Sequence, residues 1–193
     1  MTILQKHSKE LGFPIYPDGF EYLFDRSSLH NIGIVLERLE HSQFMTDLIE
    51  GLNRFKQTEL GGKTSINAFF EVPTLVNTPF PIFHVSEVMG FYGDVISTSV
   101  ISTSLMLSMP NIKRVHHYMY DLEWLKPAQF KMSPESLFSV LTHPKVTLYC
   151  RGDEHAEAIR SAFNMTANPS FIDFDLSKLI PFIIGEATNK HVR

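Results

Sequence analysis

Residues 94–125 constrain the fold most, because they read as a strand, a helix and a second strand in quick succession. A short apolar strand ends in the hydroxyl run Ser97–Ser99. An apolar helix rich in small residues is predicted over 100–109, and Pro110 ends it because proline cannot continue a helix. A second strand is predicted over 112–120. Such a unit joins neighbouring parallel strands, so the segment predicts a parallel sheet.

The rest of the chain repeats this alternation. Further strands are predicted at 32–36, 65–72, 82–85, 146–150 and 170–174, and further helices at 43–57, 134–142, 153–163 and 176–185. The pattern predicts an α/β fold, a three-layer Rossmann-like sandwich with a mainly parallel sheet. We expect residues 1–31 to form an irregular lead-in packed on a single domain, residues 32–193, because prolines interrupt the lead-in.

Composition excludes several classes of protein. The length of 193 residues favours one domain. The net charge of −4 argues against nonspecific nucleic-acid binding, which relies on Lys and Arg. The single Cys150 excludes an intramolecular disulfide and favours a reducing compartment. The first residues lack a signal-peptide pattern, and no apolar run approaches about 20 residues, so we expect a cytoplasmic protein with no membrane partner.

Ser97, Thr98 and Ser99 lie where a strand passes into a helix. Their hydroxyls and the first amides of the helix could bind a phosphate or a sugar hydroxyl. Alternatively, Ser99 simply caps the helix. Neither the GxGxxG pattern nor a Walker sequence is present, so the sequence predicts no dinucleotide cofactor and no P-loop site.

Asp121, Glu123 and Trp124 directly follow the 112–120 strand. In an extended chain the two carboxylates share a face, and either could act as general base toward an acceptor hydroxyl. They could equally cap a turn or bind a ligand hydroxyl. Trp124 could stack on a sugar or a base, although a single Trp is more often a packing residue.

Two further turns carry polar side chains at strand ends. Arg151 could bind a phosphate through its planar guanidinium, and Asp153 is expected to cap the next helix. Glu37 and His41 follow the 32–36 strand. They could meet the Asp121 group across the edge of the sheet, or they could be solvated turn residues.

His116 and His117 are neighbours in one strand and are expected to point to opposite faces, with one of them buried. A metal pair would need both on one face, and there is no HExxH pattern, so the sequence predicts no zinc site. Cys150 lies inside a strand and is expected to be inert.

Three segments together resemble the acceptor-side, N-terminal half of GT-B glycosyltransferases of bacteria and tailed phages. They are a strand ending in VISTS, a strand running KRVHHYMYDLEWL, and the stretch VTLYCRGDEHAEAIRSAF. The similarity spans about residues 32–174. It implies a Rossmann-like domain that transfers a sugar from a nucleotide-sugar to a hydroxyl, with Asp121, Glu123 and the Glu37–His41 turn on the acceptor side.

The chain departs from that family in length, since it is too short to include the second, donor-binding domain. Two functions therefore stay open. One is a small or split glycosyltransferase whose other half comes from a partner chain or a second copy. The other is a non-catalytic interaction module of a larger assembly, such as a phage assembly, that would form a stable oligomer or complex and bind no nucleotide-sugar.

Overall fold

The protein is represented by a computed structural model that describes residues 30–38, 43–72, 80–120, 122, 132–169, 171 and 174–190. Its strands are β1 His30–Arg38, β2 Thr64–Val72, β3 Ile82–His84, β4 Gly93–Ser97, β5 Ile112–Met119 and β6 Val146–Cys150. Its helices are α1 Gln43–Lys56, α2 Val100–Leu107, α3 Pro134–Leu141, α4 Asp153–Phe163 and α5 Leu176–Lys190, and short 3-10 turns span Gly61–Lys63 and Val85–Gly90.

The described strands form one six-stranded sheet in the order β3-β2-β1-β4-β5-β6, and every neighbouring pair is parallel. In the register, Ile34 of β1 lies between Ala68 of β2 and Ile96 of β4. Doubly wound Rossmann folds have this strand order. The predicted α/β class and mainly parallel sheet are therefore confirmed.

β1 lies in the interior of the sheet because its side chains are apolar on both faces. Ile34 contributes to the core on one face, and Val35 contributes to the core on the other. Both are almost completely buried, at 0% and 1% exposed. Continuous apolar runs of this kind are typical of strands covered by helices on both sides.

Helices cover both faces of the sheet, which gives the predicted three layers. Leu48 of α1 and Ile183 of α5 are in the core on one face. Val100 of α2, Leu137 of α3 and Ile159 of α4 are in a cluster on the other. Among the described residues, no helix combines the length and apolar character needed to cross a membrane.

Several boundaries differ from the sequence prediction, and α5, predicted to end at residue 185, continues to Lys190. β1 begins at His30, so His30 and Asn31 belong to the strand rather than to the lead-in, and residues 1–29 lie outside the described residues. The strand predicted over 170–174 is only partly described, and Phe171 lies in no strand. Phe174 has a φ of 54°, in the left-handed region, which no strand residue adopts. Sheet pairing occurs earlier, where Asn168 makes an isolated parallel bridge to Tyr149.

Candidate functional site

The direction in which the sheet grows reverses between β1 and β4. From β1 the chain adds β2 and β3 on one side, and it then adds β4, β5 and β6 on the other. α1, which follows β1, packs on one face of the sheet, and α2, which follows β4, packs on the other. Open parallel sheets bind ligands in the crevice that forms at such a point, beyond the carboxyl ends of the strands. The carboxyl ends of β1 and β4 are therefore the candidate site, which we call the β1–β4 crevice.

The Ser97–Ser99 turn lies at the end of β4, where it enters α2. Ser99 is the N-cap of the helix: its Oγ accepts from the Ser102 N–H at 3.1 Å, and the Ser102 Oγ accepts from the Ser99 N–H at 3.3 Å. This reciprocal pair is a capping box. The alternative in which Ser99 caps the helix is confirmed.

The Ser97 hydroxyl points into the protein. It is fully buried and lies 2.6 Å from Thr103 Oγ1, which in turn lies 2.7 Å from His117 Nδ1. The hydroxyls of Ser97 and Ser99 therefore both have partners inside the protein. A ligand in the crevice would have to displace these bonds before it could bind either hydroxyl.

Thr98 is the partly exposed member of the turn. Its Oγ1 donates to the Val35 carbonyl of β1 at 3.4 Å. This bond joins the ends of the two strands between which the sheet reverses. Thr98 thus lies where β4 passes into α2, as predicted, and this turn is at the reversal between β1 and β4.

Arg151 and Tyr120 meet at the next pair of strand ends. Tyr120 directly follows β5, and Arg151 directly follows β6. The guanidinium carbon lies 4.4 Å from the centroid of the tyrosine ring, where the negative face of the ring attracts a cation. Both side chains are partly exposed. The planar guanidinium can also bind a phosphate through two parallel hydrogen bonds.

The prediction that Asp153 caps α4 is wrong. The N-cap is Gly152, which has no side chain and makes no side-chain capping bond. Asp153 and Glu154 instead lie in the first turn, where carboxylates interact favourably with the helix dipole. A Cβ added at Gly152 would meet nothing within 4 Å, so the surface beside the cap is open.

Several predicted site residues fall outside the described part of the chain. Asp121, Glu123, Trp124 and His41 lie outside it altogether. The backbone of Glu37 is in β1, but its side chain is not described. The proposed carboxylate base thus stays a prediction from the sequence.

The two histidines of β5 point to opposite faces, as predicted, but both are buried. His116 Nδ1 lies 3.1 Å from the Tyr149 hydroxyl, whereas His117 faces Thr103 of α2. They are 0% and 1% exposed. Within the described ranges, no three His, Cys, Asp or Glu side chains gather into a group that could bind a metal ion.

Cys150 is buried at the end of β6. Burial raises the pKa of its thiol and the nearby Asp153 charge acts in the same direction, whereas a backbone hydrogen bond with Gly152 lowers it. A thiol of raised pKa is a poor nucleophile because the thiolate is the reactive form. Cys150 is therefore a packing residue.

An open groove of about 790 Å³ runs along the outer edge of β6. Its walls include Leu148 of β6, Thr142 after α3, and the segment 165–169. The described residues that line it carry no charged side chain. The groove lies at the edge of the sheet, away from the β1–β4 crevice. We place the candidate site at the crevice, because the strand order and the charged Arg151 both point to the carboxyl edge.

Sequence reasoning missed two members of this region. Thr103 lies four residues after Ser99, one helical turn on, and that spacing could have indicated its bond to the Ser99 carbonyl. The sequence predicted Tyr120 only as the last residue of a strand. Its contact with Arg151 requires β5 and β6 to be neighbours, which no local pattern specifies.

Comparison of the chain with protein-family models, with curated proteins and with solved structures finds no match.

Proposed function

We propose that this protein is the acceptor-side part of a glycosyltransferase and that the carboxyl edge of its sheet contacts the diphosphate of the nucleotide-sugar, whose donor site a second copy or a partner chain completes. The observation that carries the proposal is the reversal of strand order between β1 and β4, because doubly wound sheets bind nucleotides at the carboxyl ends of the strands where such a reversal occurs. The resemblance of residues 32–174 to the GT-B half supports the same chemistry.

Arg151 would supply the positive charge that such a ligand requires. It lies two strands from the crevice at the same edge of the sheet, and its guanidinium can bind a diphosphate while the Tyr120 ring supports its other side.

In the proposed reaction, Asp121 or Glu123 accepts the proton of the acceptor hydroxyl. The acceptor oxygen forms a bond to the anomeric carbon of the sugar. The bond from that carbon to the diphosphate breaks, and the nucleoside diphosphate leaves with the electron pair. A second copy or a partner chain would complete the donor site.

Thermal unfolding in the presence of a panel of nucleotides and nucleotide-sugars tests this proposal. A ligand at 100 times its Kd raises the free energy of unfolding by about 2.7 kcal/mol, so binding must raise the Tm. We expect Arg151→Met to abolish the shift. Arg160→Met is the matched control, because Arg160 is an exposed residue of α4 that pairs with Glu157. The proposal is contradicted if no ligand of the panel raises the Tm, or if the Arg151→Met and Arg160→Met variants show equal shifts in Tm.

Two observations favour the alternative, an interaction module that lacks catalysis. The hydroxyls of Ser97 and Ser99 have internal partners, so the turn is complete without a ligand. Ile101 on α2 and Phe138 on α3 are each 48% exposed, and the two helices pack together. A module that uses this surface for a second copy would exceed the monomer mass of 22.1 kDa in solution, and Phe138→Ser would return it to that mass.

A further inference from the structure

Three buried polar side chains meet at the Ser97–Ser99 turn, and one of them belongs to the turn itself. Ser97 and Thr103 are 0% exposed, and His117 is 1% exposed. They come from three different elements, since Ser97 ends β4, Thr103 is in α2 and His117 is in β5. Buried polar groups are costly unless they are hydrogen-bonded, and here each one is.

Thr103 is the centre of the network. Its Oγ1 lies 2.6 Å from Ser97 Oγ and 2.7 Å from His117 Nδ1, and it donates to the Ser99 carbonyl at 2.8 Å. One hydroxyl therefore contacts both ends of the turn and also β5. Because Thr103 has a single hydroxyl proton, which goes to the Ser99 carbonyl, His117 Nδ1–H is the donor in its bond to Thr103 Oγ1.

Helix capping does not require this network. The Ser99 carbonyl already accepts from the Thr103 N–H at 3.0 Å and from Ser102 Oγ at 3.0 Å. The capping box is complete without the side chains of Thr103 and His117. What these two side chains add is a link between the turn and β5.

We propose that Thr103 and His117 are positioning residues that fix the Ser97–Ser99 turn and the amino end of α2 at the mouth of the crevice. They act through the turn and do not touch the ligand. The link to ligand binding rests on the function proposed above, whereas the holding of the turn does not.

Thr103 offers a matched pair of variants. Thr103→Val keeps the shape of the side chain and removes the hydroxyl, and Thr103→Ser keeps the hydroxyl. The first readout is native-state hydrogen exchange, followed by NMR, at the amides of positions 102 and 103, with the amide of Ile34 in the core of β1 as reference. Losing a hydrogen bond corresponds to about a tenfold change, so we expect about tenfold faster exchange in Thr103→Val than in Thr103→Ser, relative to Ile34.

A second readout is the Kd of the nucleotide-sugar that gives the largest thermal shift. We expect about a tenfold weaker Kd in Thr103→Val and a value near that of the wild type in Thr103→Ser. His117→Asn, which can still place a polar group toward Thr103, should resemble Thr103→Ser, whereas His117→Leu should resemble Thr103→Val.

The two readouts separate the possible failures. Equal exchange in the Val and Ser variants, relative to Ile34, overturns the positioning role. Faster exchange with an unchanged Kd overturns the link to the ligand. If the wild-type protein binds no nucleotide-sugar, the proposed function fails, and exchange at positions 102 and 103 alone decides whether Thr103 holds the turn.

Discussion

His117 shows how burial changes the chemistry of a single side chain. Removal from water disfavours the charged imidazolium and lowers the pKa of His117 from 6.5 to about 4. Alternation along β5 correctly predicted that the two histidines point to opposite faces. It did not predict that both are buried, because that depends on β5 lying inside the sheet with helices on both faces.

The buried imidazole should make stability depend on pH. Between pH 6.5 and pH 4 the unfolded chain binds a proton at position 117 and the folded protein does not, so the free energy of unfolding falls as the pH is lowered. A shift of this size corresponds to at most about 3 kcal/mol. Urea unfolding at pH 7 and pH 4.5 measures the change. His117→Asn should reduce the fall, and equal falls in the two proteins would show that His117 is not responsible.

At the scale of a single element, the capping box shows how α2 begins. The sequence predicted this helix well, because a serine before an apolar run and a proline after it are local signals. We expect Ser99→Ala to lower the free energy of unfolding by about 1 kcal/mol, since the cap bond to the Ser102 N–H is lost. Ser104→Ala, in the same helix, is the control and should change stability by less than about 0.5 kcal/mol. If chemical denaturation gave the two variants the same free energy of unfolding, the Ser99 cap would not contribute to stability.

The turn between α1 and β2 contains two adjacent glycines with different surroundings. A Cβ at Gly61 would overlap the Phe55 carbonyl oxygen and lie 2.8 Å from Lys56 Cα, whereas a Cβ at Gly62 would meet nothing within 4 Å. We therefore expect Gly61→Ala to cost about 1–3 kcal/mol, because the backbone must shift. Gly62→Ala should stay within about 0.5 kcal/mol of the wild type. If urea unfolding showed Gly62→Ala to be less stable than Gly61→Ala, the packing described for this turn would be contradicted.

At the scale of the whole molecule, Tyr118 joins the sheet to the segment that leads into α5. Its hydroxyl donates to the Phe171 carbonyl and accepts from the Phe174 N–H at 2.9 Å. Tyr118→Phe leaves both buried backbone groups without this partner, and we expect a loss of about 1–3 kcal/mol in the free energy of unfolding. Tyr92→Phe, at a position 49% exposed, is the control. Equal free energies of unfolding for Tyr118→Phe and Tyr92→Phe would mean that the hydrogen bonds of Tyr118 do not stabilise the fold.

Local patterns and tertiary structure contribute differently to this fold and site. Apolar runs and caps predicted the class and most of the elements; α4, for example, ends at Phe163 as predicted, although it begins one residue earlier than a cap at Asp153 implied. The strand order follows from packing between distant segments, so the β1–β4 crevice and the Arg151–Tyr120 contact could not be predicted. The proposed base at Asp121 or Glu123 and the cytoplasmic location stay predictions.

The central claim is that a ligand binds at the carboxyl edge of the sheet, and a hydrogen-exchange footprint tests it most directly. Exchange is compared with and without the nucleotide-sugar that raises the Tm most. We predict slower exchange over residues 97–101 and 150–154, and unchanged exchange at the amino edge, residues 111–114. Protection confined to the amino edge or to the β6 groove, or a protein whose exchange no nucleotide-sugar changes, would contradict the account.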